Sequence, residues 1–150
     1  MLGLDRLTKW IVETRVSFTE SHNVIPGVFD IVHSANRGVT FGLFSDTGSS
    51  WRTVLVLLLP LAAVAFLIRV LWRAGNLDRL SRIGFALILG GAAGNLFDRI
   101  VYSRVTDFLD FYIGEYHWYT FNIADAAVVG GCGLLLLEML RPKRQTANVP

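Results

Sequence analysis

Cysteine is almost absent from this sequence. Cys132 stands alone in 150 residues, so no internal disulfide can form and no cysteine pair is available for zinc. Charge is scarce too: Asp, Glu, Lys and Arg make up 17% of the chain, against roughly 25% in a typical soluble domain. The net charge is only +2, so the pI near 9.0 gives no argument for nucleic acid as a partner. Several catalytic signatures are missing as well. There is no Gly-x-Ser-x-Gly elbow and no Walker-type phosphate loop, and His22, His33 and His117 lack the spacing of metal ligands. Lys9 could serve a Ser–Lys protease, but no serine is singled out as its nucleophile. Met1–Val12 carries Asp5, Arg6 and Lys9 and so lacks the apolar stretch of a secretory signal peptide. It reads as the last turns of a helix.

What the chain has in quantity is apolar sequence. Hydrophobic residues make up 53% and mean hydropathy is +0.48, which excludes a disordered chain. Three runs carry this excess: Thr53–Ile68 and Ile83–Phe97, both free of charge, and Ala126–Leu137, which extends back to Asn122 through Asp125. A bilayer core of about 30 Å calls for around 20 helical residues, so each run is slightly short by itself. Trp51, Arg52, Arg69 and Trp72 extend the first, since Arg stems snorkel and Trp rings sit at headgroup level. The runs therefore read as membrane helices.

Basic residues orient them. The 69–82 connection holds Arg69, Arg73, Arg79 and Arg82 against Asp78, and the tail holds Arg141, Lys143 and Arg144. The positive-inside rule puts that connection and the C-terminus in the cytoplasm and turns segments 10–51 and 98–121 outward. Gly27–His33, Val39–Phe44 and Tyr116–Phe121 have strand-like composition. The expected fold is an all-α integral membrane helical bundle with a small outer β-rich platform. It forms a single membrane-embedded domain over 1–150, with β-rich segments at about 22–50 and 100–121 and a disordered tail at about 141–150.

Two acids mark the outer edge. Asp125 opens an apolar helix, where an ionisable group is either functional or a first-turn acid favoured by the helix dipole. Asp107 lies in VTDFLDF (105–111), and a pair of close carboxylates sharing one proton would give aspartic-protease chemistry. Asp110 reads as a solvated acid. In GGAAGNLFDR (90–99) the small residues suit close helix packing, while Arg99 at the outer end could hold a carboxylate or a lipid phosphate. Asn36-Arg37-Gly38 is either a tight hairpin turn or places the Asn36 amide beside a bound peptide. Cys132, among glycines, reads as an inert packing residue.

Five segments in order, DRLTK (5–9), NRGVTFG (36–42), GGAAGNLFDR (90–99), VTDFLDF (105–111) and FNIAD (121–125), resemble the sequence boxes of bacterial lipoprotein signal peptidases, or signal peptidase II. The resemblance runs from about residue 5 to residue 140. It implies an aspartic endopeptidase of the bacterial cytoplasmic (inner) membrane with four membrane helices, the first largely missing before Asp5. It also implies an outer active site that cuts diacylglyceryl-modified prolipoproteins before the lipidated cysteine. Globomycin would inhibit it, membrane lipids would surround it, and no metal or organic cofactor would be needed. Asp107 and Asp125 match the catalytic pair. Asn36, Gly38, Gly91, Asn95, Arg99, Asn122 and Ala124 match supporting or substrate-contacting positions, and Asp5 and Lys9 match the first box. Val39-Thr40 departs from the small alanines usual in the family. The competing expectation is a non-enzymatic membrane bundle or small ion or proton carrier that uses Asp125 as a relay.

Overall fold

The structure, a computed structural model, describes residues 1–38 and 50–141. Along the described chain run α1 (Leu2–Arg15), β1 (Ser21–Ile25), β2 (Phe29–Asn36), α2 (Ser50–Arg73), α3 (Arg79–Tyr102), β3 (Val105–Ile113), β4 (Tyr116–His117) and α4 (Ile123–Leu140). The apolar runs grow into longer helices because capping groups lie outside them. Asp78 accepts from the Ser81 backbone N–H and hydroxyl at 2.9 and 2.8 Å, which starts α3 one turn before its apolar run. Ser103 stops it in the left-handed region, its N–H returning to the Arg99 carbonyl. Asn122 and Asp125 form a capping box that starts α4. Both α3, of 24 residues, and α4, of 18, are long and apolar enough to cross a membrane.

Burial is inverted relative to a soluble domain. Leu59, Phe66, Val129 and Met139 lie exposed on the helix surfaces, whereas the largest fully buried side chains among the described residues are Lys9, Val105, Asn122, Asp5 and Asp98. Exposed leucines on apolar helices suit lipid as solvent, and buried polar groups must then satisfy one another. Close backbone approach holds α3 on α4. A Cβ at Gly91 would press into the Ala124 carbonyl oxygen and the Val128 side chain, so only glycine fits there.

The small outer β-rich platform takes a definite form beside the helices. The strands form one four-stranded antiparallel sheet in the order β1-β2-β3-β4, with Asp30 opposite Asp110 and Asn36 opposite Val105. Strand-like sequence at Tyr116–Phe121 yields only the two residues of β4, because the chain then turns back. Phe121 accepts from both the Phe108 and Leu109 N–H groups and donates to the Leu109 carbonyl. That bridge positions the site: it ties the residue just before the α4 cap to the middle of β3. Rings of Phe29, Phe111 and Phe121 stack across it at 4.5 and 5.8 Å. The strand expected at Val39–Phe44, the Val39-Thr40 departure and the tail beyond Arg141 lie outside the described residues.

Candidate active site

Asp107 projects from β3 and Asp125 from the first turn of α4. Asn122 touches both. Its Nδ2 donates to Asp107 Oδ1 at 2.7 Å, and its backbone N–H donates to Asp125 Oδ2 at 3.2 Å. Its Oδ1 accepts the Asp125 N–H at 3.0 Å. The capping geometry expected of a first-turn acid is thus present, and it uses only one carboxylate oxygen. Asp125 Oδ1 is left to Asn95 Nδ2, at 2.7 Å. On the far side of the pair, Asn36 Nδ2 donates to Asp107 Oδ2 at 2.9 Å.

Asn36 is held by a local turn. Gly38, at φ +81°, folds the chain so that its N–H donates to Asn36 Oδ1 at 2.8 Å. The Asn36 amide group therefore points at a carboxylate rather than at open space where a peptide backbone would lie.

Asp107 is 3% exposed. Burial pushes its carboxyl above the ordinary range, and the negative charge of Asp125 pushes the same way. The amide donors of Asn36 and Asn122 and the charge of Lys9 oppose the rise without cancelling it. A carboxyl held up by its surroundings beside a second carboxylate is the electrostatic pattern of a shared-proton pair.

Behind this pair lies an ion network. Lys9, fully buried, donates to Asp5 Oδ2 at 2.8 Å, Asn95 Oδ1 at 2.9 Å and Asp98 Oδ2 at 2.6 Å. Among the described residues its partners are two aspartates and an asparagine, with no serine nucleophile beside it. Asp5 Oδ1 accepts the Ala124 N–H at 3.0 Å, which ties α1 to the residue before Asp125. Asp98 also takes Arg6, at 2.9 Å; Arg6 pairs with Glu13, and Glu13 accepts from the Thr106 hydroxyl at 2.7 Å. Asp5 and Lys9 are internal and touch no open surface.

Arg99 differs from expectation. Among the described residues it holds no carboxylate: its Nη1 makes a long 3.4 Å contact with the Asn95 carbonyl, and its buried Nε has no partner among them. The adjacent Asp98 is taken by Lys9 and Arg6 because α1 packs on that face of α3. Asp110 is not solvated either. It is 9% exposed and meets the His117 ring nitrogen at 2.8 Å. Sequence reading missed the roles of Asp98, Arg6, Glu13 and Thr106. The one available signal was the i, i+4 spacing of Asp5 and Lys9, which puts a salt bridge on one face of a helix. Among the described residues no cluster of three or more His, Cys, Asp or Glu could hold a metal ion.

Exposed apolar helices beside two amide-bound carboxylates are the pattern of a membrane-embedded hydrolase. The family model for signal peptidase (SPase) II matches residues 1–141, and the chain belongs to that family. It is 58% identical over 149 residues to the lipoprotein signal peptidase of Solibacter usitatus (strain Ellin6076), covering 99% of this chain and 91% of the relative. It is 44% identical to the lipoprotein signal peptidase of Nitratidesulfovibrio vulgaris (strain DP4), over 97% of this chain and 88% of that one. A solved bacterial membrane enzyme has the same fold, with a TM-score of 0.80 at 24% identity over 99% of this chain and 88% of its own.

Proposed function

We propose that the protein is an aspartic endopeptidase of the bacterial cytoplasmic membrane that removes signal peptides from diacylglyceryl-modified prolipoproteins, cutting before the lipidated cysteine. The observation that carries this reading is the double grip of Asn122 on Asp107 and Asp125 at the end of two apolar helices. In this reading the two carboxylates, coupled by charge and bound by the same residue, share one proton. The ionised member takes a proton from a water while the protonated member gives its own to the scissile carbonyl oxygen. The roles reverse as the amine departs. Among the described residues every hydrogen-bond partner of the pair is an N–H donor, so each carboxylate stays oriented in either protonation state.

In this reading the basic 69–82 connection and the C-terminus lie in the cytoplasm, and the pair then lies at the outer face. A substrate anchored by its acyl chains would reach it by lateral diffusion, and Arg99, in the last turn of α3 with no partner for its Nε among the described residues, would take a headgroup or peptide carbonyl. No cofactor takes part in these steps.

The test uses purified protein with a diacylated prolipoprotein and with the same precursor lacking the lipid. Cleavage of the first only, blocked by globomycin, is the expected result. A proton carrier using Asp125 alone would cut neither, and Asp107→Asn would leave its proton flux intact.

A further inference from the structure

We propose that Lys9, fully buried and out of reach of any substrate, is a positioning residue that sets which way the Asn95 amide faces and thereby aims a hydrogen-bond donor at Asp125. The inference rests on the peptidase reading of the carboxylate pair. It begins from what each group can and cannot do. An ammonium group has three N–H donors and no acceptor. Those of Lys9 end on Asp5 Oδ2, Asn95 Oδ1 and Asp98 Oδ2, so all three are used.

Asn95 can meet Lys9 only with its oxygen. Its Nδ2 must then face the other way, where Asp125 Oδ1 accepts it at 2.7 Å. Asn122 repeats the logic. Its Oδ1 takes the donor-only Asp125 N–H, so its Nδ2 reaches Asp107 Oδ1 and, at 3.2 Å, Asn95 Oδ1. Asn36 repeats it again with the Gly38 N–H on its oxygen. Three asparagines are each locked by a donor behind them, and all three present N–H to the pair. For Asn36 and Asn122 the lock is backbone. For Asn95 the shorter lock is Lys9, a side chain from α1, at 2.9 Å, with the 3.2 Å bond from Asn122 Nδ2 beside it, and this makes Lys9 the replaceable part of the device.

The charges around Lys9 explain why it is not simply a core ion pair. Asp5 lies on its own helix, Asp98 on α3, Asp107 on β3 and Asp125 on α4, with Arg6 and Glu13 beyond Asp98. Asp5 and Asp98 take two of the three ammonium donors, and a third left unpaired in a fully buried group would be costly. The third bond goes to the amide that touches Asp125.

Removing Lys9 acts twice in one direction. The amide donor to Asp125 loses the shorter of its two locks and is held less firmly, and a positive charge near Asp107 is lost. Both changes make the pair hold its protons to higher pH. In Lys9→Met the acidic limb of kcat/KM is expected to move up by about one pH unit, with kcat down about tenfold or more. Asp5→Asn supplies the structural control. It breaks the Lys9–Asp5 pair and lowers stability, yet keeps Lys9 on Asn95 and removes a negative charge, so its acidic limb should not rise. Should Lys9→Met fail to accumulate, Asn95→Asp decides: it retains an acceptor for Lys9, withdraws the donor from Asp125, and should lose turnover at least tenfold.

A wild-type pH profile in Lys9→Met, an equal upward shift in Asp5→Asn, or wild-type turnover in Asn95→Asp would overturn the proposal. Asp107→Asn and Asp125→Asn run in parallel separate the two layers. If those variants are inactive while Lys9→Met behaves as wild type, only the positioning role fails; if they retain activity, the peptidase reading fails with it.

Discussion

At the residue scale, the site is a problem of keeping a buried charge oriented without neutralising it. Asp107 is surrounded by amides rather than cations: Asn36 and Asn122 touch it, while Lys9 acts only from behind Asn95. Amides orient a carboxylate but stabilise its ionised form less than an ion pair does, so burial prevails and the carboxyl titrates high. Part of that rise comes from the charge of Asp125. In Asp125→Asn the Asp107 carboxyl should titrate below its wild-type position and still above an ordinary aspartate, because burial, the larger cause, remains. Carboxyl carbon NMR across a pH series measures this. An unchanged Asp107 titration would mean that the two groups are not coupled. Asp110, paired with His117 on the outer sheet and away from Asn122, belongs to a different cluster. Asp110→Asn should change the cleavage rate by only a few fold.

At the scale of elements, two joints bring β3 and α4 together. One is the α4 cap. Asn122→Ser should preserve the helix start, since serine caps about as well as asparagine, while losing the Nδ2 donor to Asp107. The expected outcome is near-normal thermal stability with a large fall in cleavage rate. Loss of both together would assign Asn122 to folding alone. The other joint is the close approach of α3 to α4 at Gly91, one contact away from the residue before Asp125. Gly91→Ala must push the helices apart, at a cost of about 1–3 kcal/mol, and a lower melting midpoint in detergent should accompany reduced activity. Gly130, on the same helix as Asp125 but with nothing within 4 Å of a Cβ, is the matched control, and Gly130→Ala should change neither.

At the scale of the whole molecule, the helices were legible because hydrophobic run length and flanking charge are local properties. The carboxylate pair and its asparagines were legible because their boxes are short and ordered in the chain. What was not legible depends on α1 packing against elements far away in sequence: Lys9 to Asp98 spans 89 residues and Thr106 to Glu13 spans 93. Adjacent Asp98 and Arg99 suggested each other as partners, yet on a helix consecutive side chains diverge, and Asp98 turns to α1. The β-rich platform was legible as composition but its pairing was not, because short strands of mixed composition give a weak period-two signal and the pairing joins β2 to β3 across α2 and α3. Sidedness also belongs to the whole chain: a reporter fused after Pro150 should be active only in a cytoplasmic form, and activity of an exported form instead would turn the pair inward. The most direct test of the central claim, that Asp107 and Asp125 work as one unit, is the cleavage rate of a diacylated prolipoprotein by Asp107→Asn, Asp125→Asn and the double variant at equal folded protein. Each single variant should fall by about three orders of magnitude or more, and the double should be little worse, because base and acid are both needed in every turnover. Substantial activity in either single variant, or losses that multiply in the double, would contradict it.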